Sequence, residues 1–167
     1  MFVLGIDPGL TVTGYGLVEG HPRPAAVAAG VIRTDPGLPL GTRLAALHRD
    51  LTALIAEYRP EEVSLETVFT NRNLNTAISV GRASGVAILA AAQAGIEVTE
   101  YAPTAIKAAV TGDGSAGKAA VAAMVARLLR LADPPSPADA ADGLAVALCH
   151  LRSAPLSHRV KAGEGRR

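Results

Sequence analysis

Three apolar, strand-like runs open the chain in succession: Phe2–Asp7, Thr11–Val18 and Ala25–Ile32. Turns at Pro8-Gly9 and Gly20–Pro24 separate them. Parallel neighbours need a crossover of a dozen or more residues, and these connections are far shorter. The runs therefore predict an antiparallel meander at the N-terminus.

After the Pro/Gly linker Asp35–Gly41 the period changes. Leu44, Leu47, Leu51, Leu54 and Tyr58 recur at helical spacing, and Pro60 stops the helix. Glu62–Glu66 reads as a fourth strand, and Thr67–Asn73 as a polar loop. A second helix spans Leu74–Gln93. Ile96–Thr99 is a fifth short strand and Pro103–Val110 a short helix. Thr111–Gly117 is a glycine-rich loop, whose Ser115 is placed to cap a helix over Gly117–Leu131. Ser136, with Pro137 in the first turn, opens a last helix to about Leu151. This order predicts an α/β fold: a five-stranded mixed sheet, meander first, with helices on both faces.

A chain of 167 residues is one domain in length. With 49% hydrophobic and 19% charged residues, disorder is excluded over most of it. The N-terminal segment reads as a strand and lacks the basic leader of a signal peptide. No uninterrupted apolar stretch approaches the ~18–20 residues of a membrane span. One cysteine, Cys149, allows no internal disulfide, and a reducing, cytoplasmic location is expected. Charge is uneven. The last 17 residues carry Arg152, Arg159, Lys161, Arg166 and Arg167 against Glu164; the other 150 hold 11 basic and 14 acidic groups. The expectation is a folded unit over 1–151 and a basic, flexible tail over 152–167. A mildly acidic body is not a bulk nucleic-acid coat, although local patches can still bind nucleic acid.

Asp7 ends the apolar run Val3-Leu4-Gly5-Ile6, and Glu66 ends Val63-Ser64-Leu65. Burying an unpaired carboxylate is costly, so each needs a cation or hydrogen-bonding partner. The plain alternative is a strand-end carboxylate paired with a backbone amide. Asp139 and Asp142 are three apart in the last helix and share a face. Asp139 is also spaced from Ser136 like a capping box, in a turn where acids suit the helix dipole. Asp142 lies deeper, among Ala140, Ala141, Leu144 and Ala145, where an unpaired charge is poorly placed. Together the four acids form an oxygen-only set, which suits Mg²⁺ or Mn²⁺ and does not suit zinc. Such a set fits two-metal phosphodiester hydrolysis, one ion lowering the pKa of the attacking water and the other stabilising the leaving oxygen. Asp7 and Asp142 are expected to hold or bridge one ion, with Glu66 and Asp139 completing the second.

The segments Gly5-Ile-Asp-Pro-Gly9, Thr13-Gly-Tyr-Gly16, Leu65-Glu-Thr-Val-Phe69 and Ala138-Asp-Ala-Ala-Asp-Gly-Leu-Ala145 resemble the RuvC family of bacterial Holliday junction resolvases. The resemblance runs from about Met1 to Leu151, with the motifs in the family's order and spacing. It implies an RNase H-like fold, catalytic acids at Asp7, Glu66, Asp139 and Asp142, and two Mg²⁺ ions per site, with Mn²⁺ as a substitute. Some members carry His at the position of Asp139. The resemblance further implies a homodimer that binds a four-way DNA junction and nicks two symmetric strands. The products would be 5′-phosphate and 3′-hydroxyl ends, in recombination and repair. It also implies cooperation with a RuvA–RuvB branch-migration complex. Nothing in the tail after Leu151 matches the family's motifs.

Phe69, one of five aromatics, sits in the polar loop three residues after Glu66. There it can stack on an unpaired base, or anchor the loop to the core. In the resembled family the matching Phe inserts near the junction centre. Arg72 and Arg82, with Asn71 and Asn73, are placed to contact phosphates. Lys107 and Lys118 match basic positions that face DNA in the family; without the resemblance, solvated lysines are the plainer reading. Gly81 and Gly85, four apart in the second helix beside Ile78, Ile88 and Leu89, mark a close-packing or dimer face.

Gly112-Asp-Gly-Ser-Ala-Gly117-Lys118 fits half of a phosphate-binding loop, but Ala119 replaces the required Ser/Thr and no strand directly precedes it. Ser115 and Lys118 form an S-x-x-K without its companion motifs. The four histidines suggest no cluster and read as surface or interface residues, and Cys149 as a buried small hydrophobe. A non-catalytic junction-binding scaffold is the rival from another class, with the acids merely capping and pairing. An actin-like ATPase needs two lobes, for which the chain is too short.

Overall fold

The computed structural model describes residues 1–20, 22–67 and 74–164, with side chains as far as residue 153. Strands β1 (Phe2–Asp7), β2 (Val12–Glu19) and β3 (Ala25–Arg33) form the expected meander. Helix α1 (Leu40–Tyr58) leads to β4 (Glu62–Glu66), and α2 (Leu74–Gln93) to β5 (Val98–Tyr101). Helices α3 (Pro103–Thr111), α4 (Lys118–Leu129) and α5 (Ala138–Glu164) follow. The sheet order is β3-β2-β1-β4-β5, with β1–β4 and β4–β5 parallel. This is the RNase H-like arrangement, with helices on both faces as expected.

The period-2 pleat sorts the sheet residues into two cores. Leu4, Ile6, Leu17, Val63 and Leu65 pack on one side with Leu47, Leu51 and Ile55 of α1 and Ala83, Ala87, Ala90 and Ala91 of α2. Val3 and Val18 pack on the other with α3, α4 and α5. Alternation places Gly5 and Asp7 on the Val3 face, Gly14 and Gly16 on the Val18 face, and Glu62, Ser64 and Glu66 together on β4. All of these look toward α5.

Several boundaries differ from the sequence reading, for local reasons. β5 starts at Val98 because Gly95, at φ 74°, folds the end of α2 back and Ile96 donates to the Ala91 carbonyl. Ser115 does not cap α4. Asp113 intercepts it, accepting from the Ser115 amide at 2.8 Å and hydroxyl at 2.7 Å, and Gly117 becomes the N-cap. Helix α4 stops at Leu129, where Arg130 turns left-handed at φ 56°. Helix α5 opens at Ala138 and continues past Leu151 to Glu164, where the sequence suggested a tail. By length and composition α2 could cross a membrane, although no uninterrupted apolar stretch was expected to. Here one face of α2 is packed in the core instead.

Candidate active site

Asp7 and Glu66 stand at the ends of the adjacent parallel strands β1 and β4. Asp139 and Asp142 lie in the first two turns of α5. The approach of α5 to the sheet decides whether these acids meet. It is very close, because the facing sheet residues lack side chains. A Cβ on Gly14 would stand 2.0 Å from the Asp139 carbonyl oxygen, and one on Gly5 would stand 2.2 Å from that of Gly143. Gly14 is the register partner of Asp7. The glycine that admits the α5 backbone thus lies directly across the ladder from the first acid.

Single carboxylate oxygens of Asp7, Asp139 and Asp142 lie within 4.8 Å of one another. Asp7, Glu66 and Asp142 line a cleft of about 270 Å³ with Lys107 and Lys118 at its side, over Ile106, Val121 and Ala145. Spatially, Asp139 groups with Asp7 and Asp142, whereas the sequence reading paired it with Glu66. The Lys118 ammonium reaches the Asp142 carboxylate at 3.3 Å. Lys118 is largely exposed and Asp142 mostly covered, so the pair sits at the rim.

Burial, reinforced by Glu66 and Asp142 and opposed by Lys118, pushes Asp7 from 3.8 up to about 7. Burial and the nearby Asp142 raise Glu66 as well, against the pull of Lys118 and Lys107. Asp142 in turn raises the Lys118 ammonium. The cleft therefore holds more negative charge than its lysines neutralise. Its donors are all oxygen, and three are within one ion's reach. These features fit a hard divalent cation such as Mg²⁺ or Mn²⁺. Helix capping alone does not account for the acids, since Asp142 meets Lys118 and Asp7.

The other sequence candidates fall in different places. Lys107 and Lys118 line the acid cleft, as described. Arg82 is exposed on α2 and does not line the cleft. Phe69 and Arg72, with Asn71 and Asn73, lie outside the described residues. The loop 112–117 joins α3 to α4 with no strand before it, and Lys118 turns to a carboxylate; this is not a nucleotide loop. Cys149 is buried as expected. His150 corrects the reading of the histidines: it is 3% exposed and contacts Glu62 and Tyr101, because α5 is covered by the sheet at this point. The glycine seam was also missed. Its signal was present in Thr13-Gly-Tyr-Gly16, where glycines two apart in a strand strip one face of side chains.

The model of the family described as crossover junction endodeoxyribonuclease RuvC matches residues 3–150. The chain belongs to the RuvC family. The crossover junction endodeoxyribonuclease RuvC of Salinispora arenicola is 54% identical over 175 residues, covering 99% of this chain and all of that protein. The protein of the same name from Pelotomaculum thermopropionicum is 47% identical, covering 96% of this chain and 99% of its own. Among solved structures, Thermus thermophilus RuvC in complex with Holliday junction substrate superposes with a TM-score of 0.88 at 37% identity, covering 94% of this chain and 96% of that one. The resemblance read from four motifs therefore extends over nearly the whole chain.

Proposed function

We propose that this protein is a Holliday junction resolvase, a metal-dependent endonuclease that makes two symmetric nicks in a four-way DNA junction. The observation that carries the proposal is the gathering of acids about Asp7, with Asp139 and Asp142 within 4.8 Å of it and Glu66 and Asp142 lining the same cleft, in a chain of the RuvC family. A scaffold gains nothing from crowding four acids at the cost of two raised pKa values.

Asp7, Glu66, Asp139 and Asp142 would hold two Mg²⁺ ions, or Mn²⁺ in their place. When bound, such ions supply Lewis-acid chemistry for phosphodiester hydrolysis, giving 5′-phosphate and 3′-hydroxyl ends. The chain's own residues do the rest. Burial and the neighbouring acids push the Asp7 carboxyl up to about 7, and a cation held there would favour its charged form. Lys118 balances Asp142 at the rim and, with Lys107, faces an incoming phosphate. Phe69 is proposed to stack on a base near the junction centre, and Arg72 and Arg82 to contact phosphates.

Two active sites are needed for two nicks, and α2 supports a homodimer. Leu74, Ile78, Gly81, Gly85 and Ile88 follow one another at 4-3-4-3 spacing, the stripe along which two helices pack. Leu74 is 71% exposed and Leu89 50%, and Cβ atoms on Gly81 or Gly85 would meet nothing within 4 Å. An exposed apolar stripe with glycines at its centre suits a second copy of the same helix. Cooperation with RuvA–RuvB and a bacterial cytoplasmic location complete the proposal.

The test is incubation with an immobile and a mobile four-way junction, beside linear duplex, in EDTA, Mg²⁺ or Mn²⁺. Paired symmetric nicks that ligase can seal, on junctions and only with metal, are expected. Junction binding without cleavage under every metal would overturn the proposal in favour of a scaffold.

A further inference from the structure

A second polar cluster lies inside the protein at the far end of the contact that forms the acid cleft. The Tyr101 hydroxyl is 3.0 Å from His150 Nδ1, and the two rings meet edge to face with centroids 5.7 Å apart. His150 Nε2 contacts Glu62 Oε2. A carboxylate only accepts, so Nε2 carries the hydrogen in the Glu62 contact, and Nδ1 pairs with the Tyr101 hydroxyl. Burial pushes the Tyr101 phenol above its ordinary value, so it keeps its hydrogen at neutral pH. The cluster joins three elements: Glu62 on β4, Tyr101 on β5 and His150 on α5.

Its position relative to the acids follows from element geometry. Glu62 precedes Glu66 by four residues of strand, ~13 Å at about 3.3 Å each. His150 follows Asp142 by eight residues of helix, ~12 Å at about 1.5 Å each. Two nearly equal spans put the cluster and the acids at opposite ends of one β4–α5 contact. Ser64, fully buried, lies on the same β4 face between them. At the cleft end the contact repels, since Asp142 and Glu66 carry like charge. At the far end it attracts. Tyr101 is also tied to the strand end that carries an acid: it is the register partner of Glu66, and its carbonyl accepts from the Thr67 amide at 2.9 Å.

We propose that Glu62, His150 and Tyr101 are positioning residues that clamp α5 to β4 and β5, holding Asp142 beside Glu66 and Asp7 before metal arrives. The clamp makes the cleft a preformed cation site and not one that closes only around the ion. The proposal rests on the reading of the acids as metal ligands.

The test is Mn²⁺ binding to the DNA-free protein, followed by the electron paramagnetic resonance of free Mn²⁺. Glu62→Ala is expected to weaken Mn²⁺ affinity about 10-fold, within what a residue coupled to a distant site through packed elements does. Glu62→Gln keeps a carbonyl that accepts from Nε2–H and is expected to restore affinity to within about 3-fold of the parent. A folded Glu62→Ala protein with the parent's affinity would overturn the clamp, whatever its melting temperature. If Glu62→Ala does not fold, Tyr101→Phe, which removes one oxygen atom, decides in the same way. Asp142→Asn separates the two readings. If the parent's Mn²⁺ binding survives that change, the acids are not the ligands and the proposed function fails; if it is lost while Glu62→Ala binds normally, only the clamp fails.

Discussion

The two faces of the sheet use glycine in opposite ways. On the α5 face, Gly5, Gly14 and Gly16 are filled by a helix backbone, and a Cβ at any of them would strike it within 2.5 Å. On the outer side of α2, Gly81 and Gly85 face open space. In sequence both pairs are small residues among apolar ones. The first pattern has period two, on strands covered by a helix, and it brings a charged helix N-terminus onto a strand-end acid. The second has helical period on a surface with no partner among the described residues. The same signal thus marks an internal seam in one place and an unpartnered stripe in the other. The seam makes the site, and the stripe is what a second copy would cover.

The comparison can be broken at its functional end first. Asp7→Asn removes a carboxylate charge with almost no change in shape. It is expected to slow junction cleavage by roughly 10³-fold or more, about 4 kcal/mol of barrier, with junction binding kept. Cleavage and electrophoretic binding assays on one preparation check this. Joint loss of both would make Asp7 structural.

Next comes the seam itself. In Gly14→Ala the new methyl meets the Asp139 carbonyl, which is backbone and has no rotamer to yield. A loss of about 3 kcal/mol in folding stability is expected, together with cleavage. Urea denaturation reads the first and junction nicking the second.

The charge in the cleft gives a smaller, pH-dependent effect. The Asp7 carboxyl titrates near 3.8 unfolded and about 7 folded. Between those values the folded protein holds a proton that the unfolded chain has released. Its contribution to stability is therefore complete below about pH 4 and lost as pH rises through 7. In EDTA, the parent is expected to lose roughly 2 kcal/mol relative to Asp7→Asn between pH 5.5 and 8. Thermal melts across that range measure it, and Mg²⁺ should shrink the gap at pH 8. A pH-independent difference would contradict the burial and charge argument.

The smallest expected effect is on the open stripe. Gly85→Leu places a better helix former where nothing clashes, so the protomer fold should change by no more than about 1 kcal/mol. Sedimentation should nevertheless move from dimer to monomer, because two helices can no longer approach closely at that point. A substitution of the same kind would thus wreck the fold at Gly14 and only separate the subunits at Gly85.

Much of this was legible in the chain. The meander, the helical period of 44–58 and the strand-end acids follow from patterns that local chemistry enforces. The meeting of Asp7, Glu66 and Asp142 was legible because unpaired acids among apolar residues need an explanation. What stayed hidden depends on distant partners. Ser115 looked like a cap until Asp113 intercepted its hydroxyl. His150 looked like a scattered histidine, since neither Glu62 nor Tyr101 is near it in sequence. Lys118 read as a DNA contact, and its bond to Asp142 spans 24 residues. The outward direction of Gly81 and Gly85 could not be told from an inward one, because a helix shows its period without showing which side is covered.

The central claim is that a side-chain-free seam seats α5 on the sheet so that its acids and the strand-end acids share a cation. A crystal grown with Mn²⁺ and read by anomalous scattering tests it most directly. The account predicts an anomalous peak bounded by Asp7, Asp139 and Asp142 that disappears in Asp142→Asn. A peak elsewhere, or an empty cleft at saturating Mn²⁺, would contradict it.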